Sequence, residues 1–78
     1  MPENDRQTIL GRVVHVELEG GFWGIIDETG KKYVPLDPLE SPFLKNGLKI
    51  EAEIETVLVF SASMWGQHVR MHKIRKMT

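Results

Sequence analysis

Four of the six aromatic residues in this 78-residue chain are candidates for binding a ligand by stacking. Exposed aromatic rings hold the bases of single-stranded nucleic acids, at about 1–3 kcal/mol per base, beside cationic side chains that contact the phosphates. The candidate stacking residues are Trp23, Tyr33, Phe22 and Trp65. The candidate phosphate contacts are Arg12, Lys31, Lys32 and Arg70. The alternative is structural, because large aromatic residues in a small core usually serve packing: Phe22 and Trp65 would then fill or cover the core, and Trp23 would pack beneath a loop.

The distribution of charge argues against tight binding to nucleic acid. All eleven acidic residues lie between Glu3 and Glu55 beside six basic residues, so that part of the chain carries a net charge of −5. The last four basic residues, Arg70, Lys73, Arg75 and Lys76, have no acidic neighbour in the sequence. This basic end could meet an anionic partner, but neutralisation of the acidic remainder is the favoured interpretation. Affinity for nucleic acid depends on how many phosphates the basic side chains neutralise. Oligosaccharides also bind to OB-fold faces, and their binding needs aromatic residues but no positive field.

Other chemistries find little support in the residues present. On a strand, His68 and His72 would lie about 13 Å apart, and the row Glu51, Glu53, Glu55 would have a spacing of about 7 Å. Both distances are too long for a shared metal ion, so we expect surface histidines and a solvated acidic face. The absence of cysteine excludes disulfides and thiolate ligands, and the serines have no nucleophile motif around them. We therefore predict no enzyme activity, no metal and no cofactor.

The hydrophobic pattern predicts a series of strands. Gly20-Gly21 should form the turn that folds the second strand back along the first. We expect strands over Thr8–Glu19, Phe22–Asp27, Lys32–Leu36, Leu48–Thr56 and Gln67–Arg75, with a further short strand within residues 59–64. The first strand should be strongly bent or contain a bulge, because it includes Gly11 and its apolar residues change phase, and a bent strand can serve two sides of a closed barrel. The second is apolar on both faces, so one face must be covered or exposed as a patch. A helical turn should begin near Ser41-Pro42, with Leu39, Phe43 and Leu44 closing the barrel.

This order of elements resembles the OB-fold, a five-stranded Greek-key barrel with a helix between its third and fourth strands. The segments Gly11-Arg12-Val13, Gly21-Phe22 and Gly24-Ile25-Ile26 resemble strands of the cold-shock domain, which is itself an OB-fold. Trp23 interrupts that motif, and Tyr33-Val34-Pro35-Leu36 replaces the third-strand motif. The resemblance therefore implies the topology without carrying over the nucleic-acid function. The chain also resembles a small prokaryotic OB-like family that is uncharacterised.

We predict a small all-β, OB-like barrel over residues 8–76, preceded by a flexible segment over residues 1–7. The predicted function is non-enzymatic: weak binding of single-stranded nucleic acid, or of an oligosaccharide, on the face that carries Trp23 and Tyr33. The alternative is a structural or protein-interaction domain that meets a partner or a second copy through apolar residues. These residues are Val57, Val59, Phe60 and Trp65. No apolar run is long enough for a membrane span and no signal peptide is recognisable, so we expect a cytoplasmic protein.

Overall fold

Five strands close into a small barrel in the computed structural model, which describes residues 6–57 and 65–77. The strands are β1 (Arg6–Val16), β2 (Phe22–Asp27), β3 (Lys32–Pro35), β4 (Lys49–Thr56) and β5 (Gln67–Lys76). Their order around the barrel is β1-β2-β3-β5-β4. The β3–β5 pair is parallel, and the other four pairs are antiparallel. This confirms the predicted all-β, OB-like architecture. The further strand expected within residues 59–64 lies outside the described residues.

The first strand closes the barrel because it pairs with β4, the last strand in the order around the barrel, as well as with β2. Its first half pairs with β4 and its second half with β2, and Gly11 and Arg12 pair with both. A Cβ atom on Gly11 would lie 2.5 Å from the carbonyl oxygen of Ile26, so only glycine permits this close approach. The first strand thus serves two sides of the barrel, as predicted, although it runs from Arg6 to Val16 rather than from Thr8 to Glu19.

The turn between β1 and β2 uses the predicted glycine pair. Glu19, Gly20 and Gly21 have φ values of 51°, 86° and 94°, in the region that glycine occupies without a steric cost. The Gly21 amide donates a hydrogen bond to the Leu18 carbonyl at 2.8 Å. The turn thus brings the chain back along β1, as the sequence predicts.

Aliphatic side chains from four of the strands, together with Tyr33 of β3, fill the barrel. Those with no exposed surface are Val13, Ile25, Ile50, Ile54 and Val69. Leu39 is buried at one end, where Phe43 packs against the core. Leu44 is 40% exposed, so its predicted place in the core is wrong. The helical element is a single 3-10 turn, Ser41–Phe43, and Leu44 directly follows it with φ −86° and ψ 72°, so the helical conformation ends before Leu44.

A bulge in β5 corrects the phase of the last strand. Met71 pairs with Ile54 and Lys73 pairs with Glu53, which leaves His72 as an extra residue between them. Such a residue shifts the alternation of side chains by one position. Met71 and Ile74 therefore both pack against the core, although simple alternation from Met71 would place Ile74 outside.

The described part of the chain contains no helix of the length and hydrophobicity that crossing a membrane requires.

Candidate ligand-binding face

The acidic row of β4 and the basic end of the chain face each other on one side of the barrel. Glu51 forms a salt bridge with Arg75, and Glu53 lies 3.4 Å from Arg6. Glu55 accepts a hydrogen bond from His72 Nε2 at 2.8 Å and lies 4.0 Å from Arg70. We call this ladder of opposite charges on β1, β4 and β5 the charged ladder. Arg70 and Arg75 from the basic end of the sequence, together with Arg6 and His72, therefore pair with the acidic strand. Arg70 lies in the ladder rather than beside the aromatic candidates.

The hydrogen bond from His72 is the largest influence on the Glu55 carboxyl group, and it lowers the pKa. Desolvation raises this pKa, and the positive charges of His72, Arg6 and Arg70 lower it, so the net direction is downward. The carboxylate form of Glu55 is therefore favoured in the folded protein. Its role is to hold the bulge residue and its neighbours on β5.

Tyr33 lies inside the barrel and not on its surface. Its side chain is 1% exposed, because its partner in the β2–β3 ladder is the inward-facing Ile25. The hydroxyl donates to Asp27 Oδ2 at 3.0 Å. Desolvation, reinforced by this carboxylate, raises the pKa of Tyr33 to about 12. A base cannot stack on the ring in this position, so the predicted pairing of Tyr33 with Trp23 on an outer face is wrong.

The Asp27 carboxylate anchors the turn that follows β2. Its Oδ1 accepts hydrogen bonds from the Thr29 amide at 2.9 Å, the Thr29 hydroxyl at 2.6 Å and the Lys31 amide at 3.0 Å. Desolvation is the largest single influence and raises the pKa of Asp27, but the hydrogen bonds together outweigh it and lower the pKa. The β2–β3 turn and the buried tyrosine thus share one carboxylate.

Trp23 contributes to the packing of the barrel core. It is partly buried and packs against the core, and its ring meets that of His15, its partner on β1, at 4.8 Å and 62°. Trp23 therefore packs against the core and His15, which favours a structural role for this residue. The face of β2 that carries Phe22, Gly24 and Ile26 points the other way, since alternate residues of a strand face opposite sides.

Trp65 covers that outer face of β2. A Cβ atom on Gly24 would lie 2.5 Å from Cζ3 and 2.7 Å from Cη2 of Trp65, so glycine is the residue that admits the indole here. The Phe22 and Trp65 rings meet edge to face at 5.7 Å. The Lys32 ammonium lies 5.5 Å from the centre of the Trp65 ring, within the range of a cation–π contact. We call Phe22, Lys32 and Trp65 the Trp65 platform.

The platform unites residues that the sequence assigned to two different surfaces. Phe22 and Lys32 are predicted ligand-binding residues, whereas Trp65 is both a candidate stacking residue and part of the predicted interaction surface. Of the other members of that surface, Val57 is partly buried, and its amide bonds to the carbonyl of His68 at 3.2 Å. Val59 and Phe60 lie outside the described residues.

Arg12 lies in a row of residues that begins at the platform. Lys32 pairs with Ile26 across β3 and β2, and Ile26 pairs with Arg12 across β2 and β1. Directly opposed residues of antiparallel strands project from the same face, so Arg12 and Lys32 share the outer side. The row continues to Lys49, which pairs with Arg12 across β1 and β4. Lys49 was not predicted as a site residue, because its place in the alternating fourth strand indicated only a solvated position.

No protein-family model, curated protein or solved structure matches this chain. The function must therefore be argued from the site and not from relatives. Over residues 6–57 and 65–77, no three histidine or carboxylate side chains converge as metal ligands would.

Proposed function

We propose that this protein is a non-enzymatic module that binds single-stranded nucleic acid weakly through the Trp65 platform. The observation that carries the proposal is the position of Trp65 on the outer face of β2, between an aromatic ring and an ammonium group. OB-fold barrels bind oligonucleotides on the face of strands 2 and 3 and through the loops before strands 2 and 5. Phe22 begins β2, and Trp65 directly precedes the short link to β5, so both belong to this region. The likeness of Gly11-Arg12-Val13 and Gly24-Ile25-Ile26 to the cold-shock domain supports the barrel topology of this proposal and not the binding of nucleic acid.

The local charge supports this proposal better than the net charge does. Three of the acidic residues, Glu51, Glu53 and Glu55, are engaged in the charged ladder on another side of the barrel. The outer face of β2 is flanked instead by Lys32 and Arg12. Because affinity for a phosphate backbone grows with the number of neutralised phosphates, so few cations support weak, salt-sensitive binding.

The two tryptophans allow a direct test, because only one of them belongs to the platform. The variant Trp23→Phe keeps Trp65 as the only indole, and Trp65→Phe keeps only Trp23. We expect oligothymidylate to quench the fluorescence of the first variant and to leave that of the second unchanged. The quenching should weaken as salt is added. Lys32→Gln in the Trp23→Phe background should bind less tightly, and a neutral linear oligosaccharide serves as the matched ligand without phosphate.

Three results would count against the proposal. Quenching of Trp23 alone would place the ligand at Trp23 and not on the platform, and no quenching at low salt would remove the nucleic-acid function. Equal quenching by the oligosaccharide, independent of salt, would instead assign the platform to sugars.

An apolar groove favours a second candidate function, which is association with a second copy of this chain. The groove has a volume of about 320 Å³ and lies between β2 and the segment that follows β3. Leu36 and Leu44 line it and are 39% and 40% exposed. Sedimentation measured over a range of concentrations should show dimers that Leu36→Ser abolishes. A monomer at all concentrations would eliminate this candidate.

A further inference from the structure

We infer that Arg12 and Lys49 form a second anion-binding position. This position binds a phosphate of the same nucleic-acid strand whose base stacks on the Trp65 platform. The inference rests on the proposed function and extends it, because it specifies how the nucleic-acid strand crosses the barrel surface. The nucleic acid would cross β3, β2, β1 and β4 in that order, with its phosphates along one row of residues.

The register of the barrel defines this row. Lys32, Ile26, Arg12 and Lys49 are successive partners on four neighbouring strands. Their neighbours in the sequence that point inward, Val13, Ile25 and Ile50, have no exposed surface, so the row itself lies on the outside. Neighbouring strands are about 4.8 Å apart, which separates the Cα atoms of Lys32 and Arg12 by about 10 Å and those of Lys32 and Lys49 by about 14 Å. A linear anionic polymer can span such a row.

Arg12 and Lys49 form a pair of like charges, which is unfavourable in the absence of an anion. Like charges directly opposite each other on antiparallel strands destabilise a sheet. Neither residue forms a salt bridge with a carboxylate of residues 6–57 or 65–77. The three glutamates of β4, in contrast, all have a basic partner. A phosphate between the two cations would remove the repulsion that the fold leaves in place.

The pair lies at a groove of suitable size. The groove has a volume of about 200 Å³, and its lining includes Leu10, Ile26, Met77 and the two cations. Two acidic residues also line it. The Asp27 carboxylate is occupied by Thr29, Lys31 and Tyr33, whereas Glu28 carries a negative charge that opposes an anion. Removing the charge of Glu28 should therefore tighten binding.

The test is the salt dependence of oligothymidylate binding by the full chain, measured by fluorescence anisotropy of a labelled oligonucleotide. For single strands, log K falls with log salt with a slope of about −0.7 per neutralised phosphate. Three cations, Lys32, Arg12 and Lys49, predict a slope of about −2 for the wild type. Lys49→Gln should reduce the slope by about 0.7, which corresponds to about eightfold weaker binding at 0.05 M salt. Glu28→Gln should bind more tightly than the wild type.

Lys73→Gln is the matched control, because Lys73 is an exposed lysine that lies opposite Glu53 on the charged ladder. It should bind like the wild type. The thermal midpoint of Lys49→Gln should equal or exceed that of the wild type, since the variant removes a repulsion. Weaker binding then cannot reflect unfolding.

The outcomes separate this inference from the proposed function. If the wild type binds and quenches Trp65 but Lys49→Gln has an unchanged slope, the Arg12–Lys49 position is refuted and the Trp65 platform stands. If the wild type shows no binding at low salt, the proposed function is refuted and this inference falls with it.

Discussion

Gly24→Ala is the substitution that tests the position of Trp65 most sharply. The added methyl group would lie 2.5 Å and 2.7 Å from two atoms of the indole and 3.2 Å from the carbonyl oxygen of Tyr33. Gly24 is not among the glycines with positive φ, so its backbone accepts alanine without strain. The indole must therefore move, because the Cβ and the ring cannot occupy the same space.

The change in stability caused by Gly24→Ala depends on whether the Trp65 ring stays in place or moves. If the ring stayed, overpacking would cost about 1–3 kcal/mol of stability. The ring lies on the outside of the barrel and can swing away, and alanine in a strand is favoured over glycine by about 0.5–1 kcal/mol. We therefore expect a change in stability below about 1 kcal/mol. Loss of one stacked base would cost about 1–3 kcal/mol of binding free energy, which corresponds to about 5- to 150-fold weaker binding.

The assay is a double-mutant cycle with Trp65→Ala, read by urea unfolding and by oligonucleotide binding. In the Trp65→Ala background there is no indole to displace, so Gly24→Ala should be neutral or stabilising, and the two changes should not be additive. In the Trp23→Phe background, Gly24→Ala should shift the emission of Trp65 towards that of an exposed indole. If Gly24→Ala leaves that emission and the affinity unchanged, the contact between Gly24 and Trp65 does not exist.

Two further predictions concern the supports of the fold. Tyr33→Phe removes the hydrogen bond to Asp27 and should lower the free energy of unfolding by about 1–2 kcal/mol at an unchanged urea m-value; a loss of only a few tenths would contradict this bond. The pKa of Glu55 is lowered from 4.5, so its carboxylate stabilises the fold above that pH, and this contribution disappears as the pH falls through the lowered value. Glu55→Gln should therefore be less stable than the wild type at neutral pH, and the difference should close as the pH falls below 4.5 through the lowered pKa. A constant difference over that range would show that the ionised carboxylate is not responsible.

The barrel could be predicted from the sequence because its signals are local. Gly20-Gly21 marks a turn, and Leu48–Thr56 alternates cleanly between apolar and charged residues. The bulge at His72 has no such signal, because an extra residue in a strand is defined by its partner strand. The exposure of Leu44 has no local signal either, because the apolar types of Leu39, Phe43 and Leu44 do not show where the chain leaves the helical conformation after a single turn.

The candidate site was only partly predictable, because both faces of β2 are apolar. Phe22 and Trp23 are adjacent, and the sequence does not show which of them faces the core. The register with β1 and β3 decides it: Trp23 and Tyr33 project inward, and Phe22 projects outward. The contacts of Trp65, like the opposition of Arg12 and Lys49, join segments that are distant in the sequence. They depend on the closed barrel and could not be derived from local pattern.

The most direct measurement of the central claim is the response of the two indole N–H signals in a ¹H–¹⁵N spectrum of labelled protein, titrated with oligothymidylate at low salt. Lys73→Gln and Lys32→Gln proteins provide the matched comparison. Binding at the Trp65 platform predicts that the Trp65 signal moves while the Trp23 signal stays in place. Of the two variants, only Lys32→Gln should reduce this response. Movement of the Trp23 signal alone, or of neither signal, would contradict it.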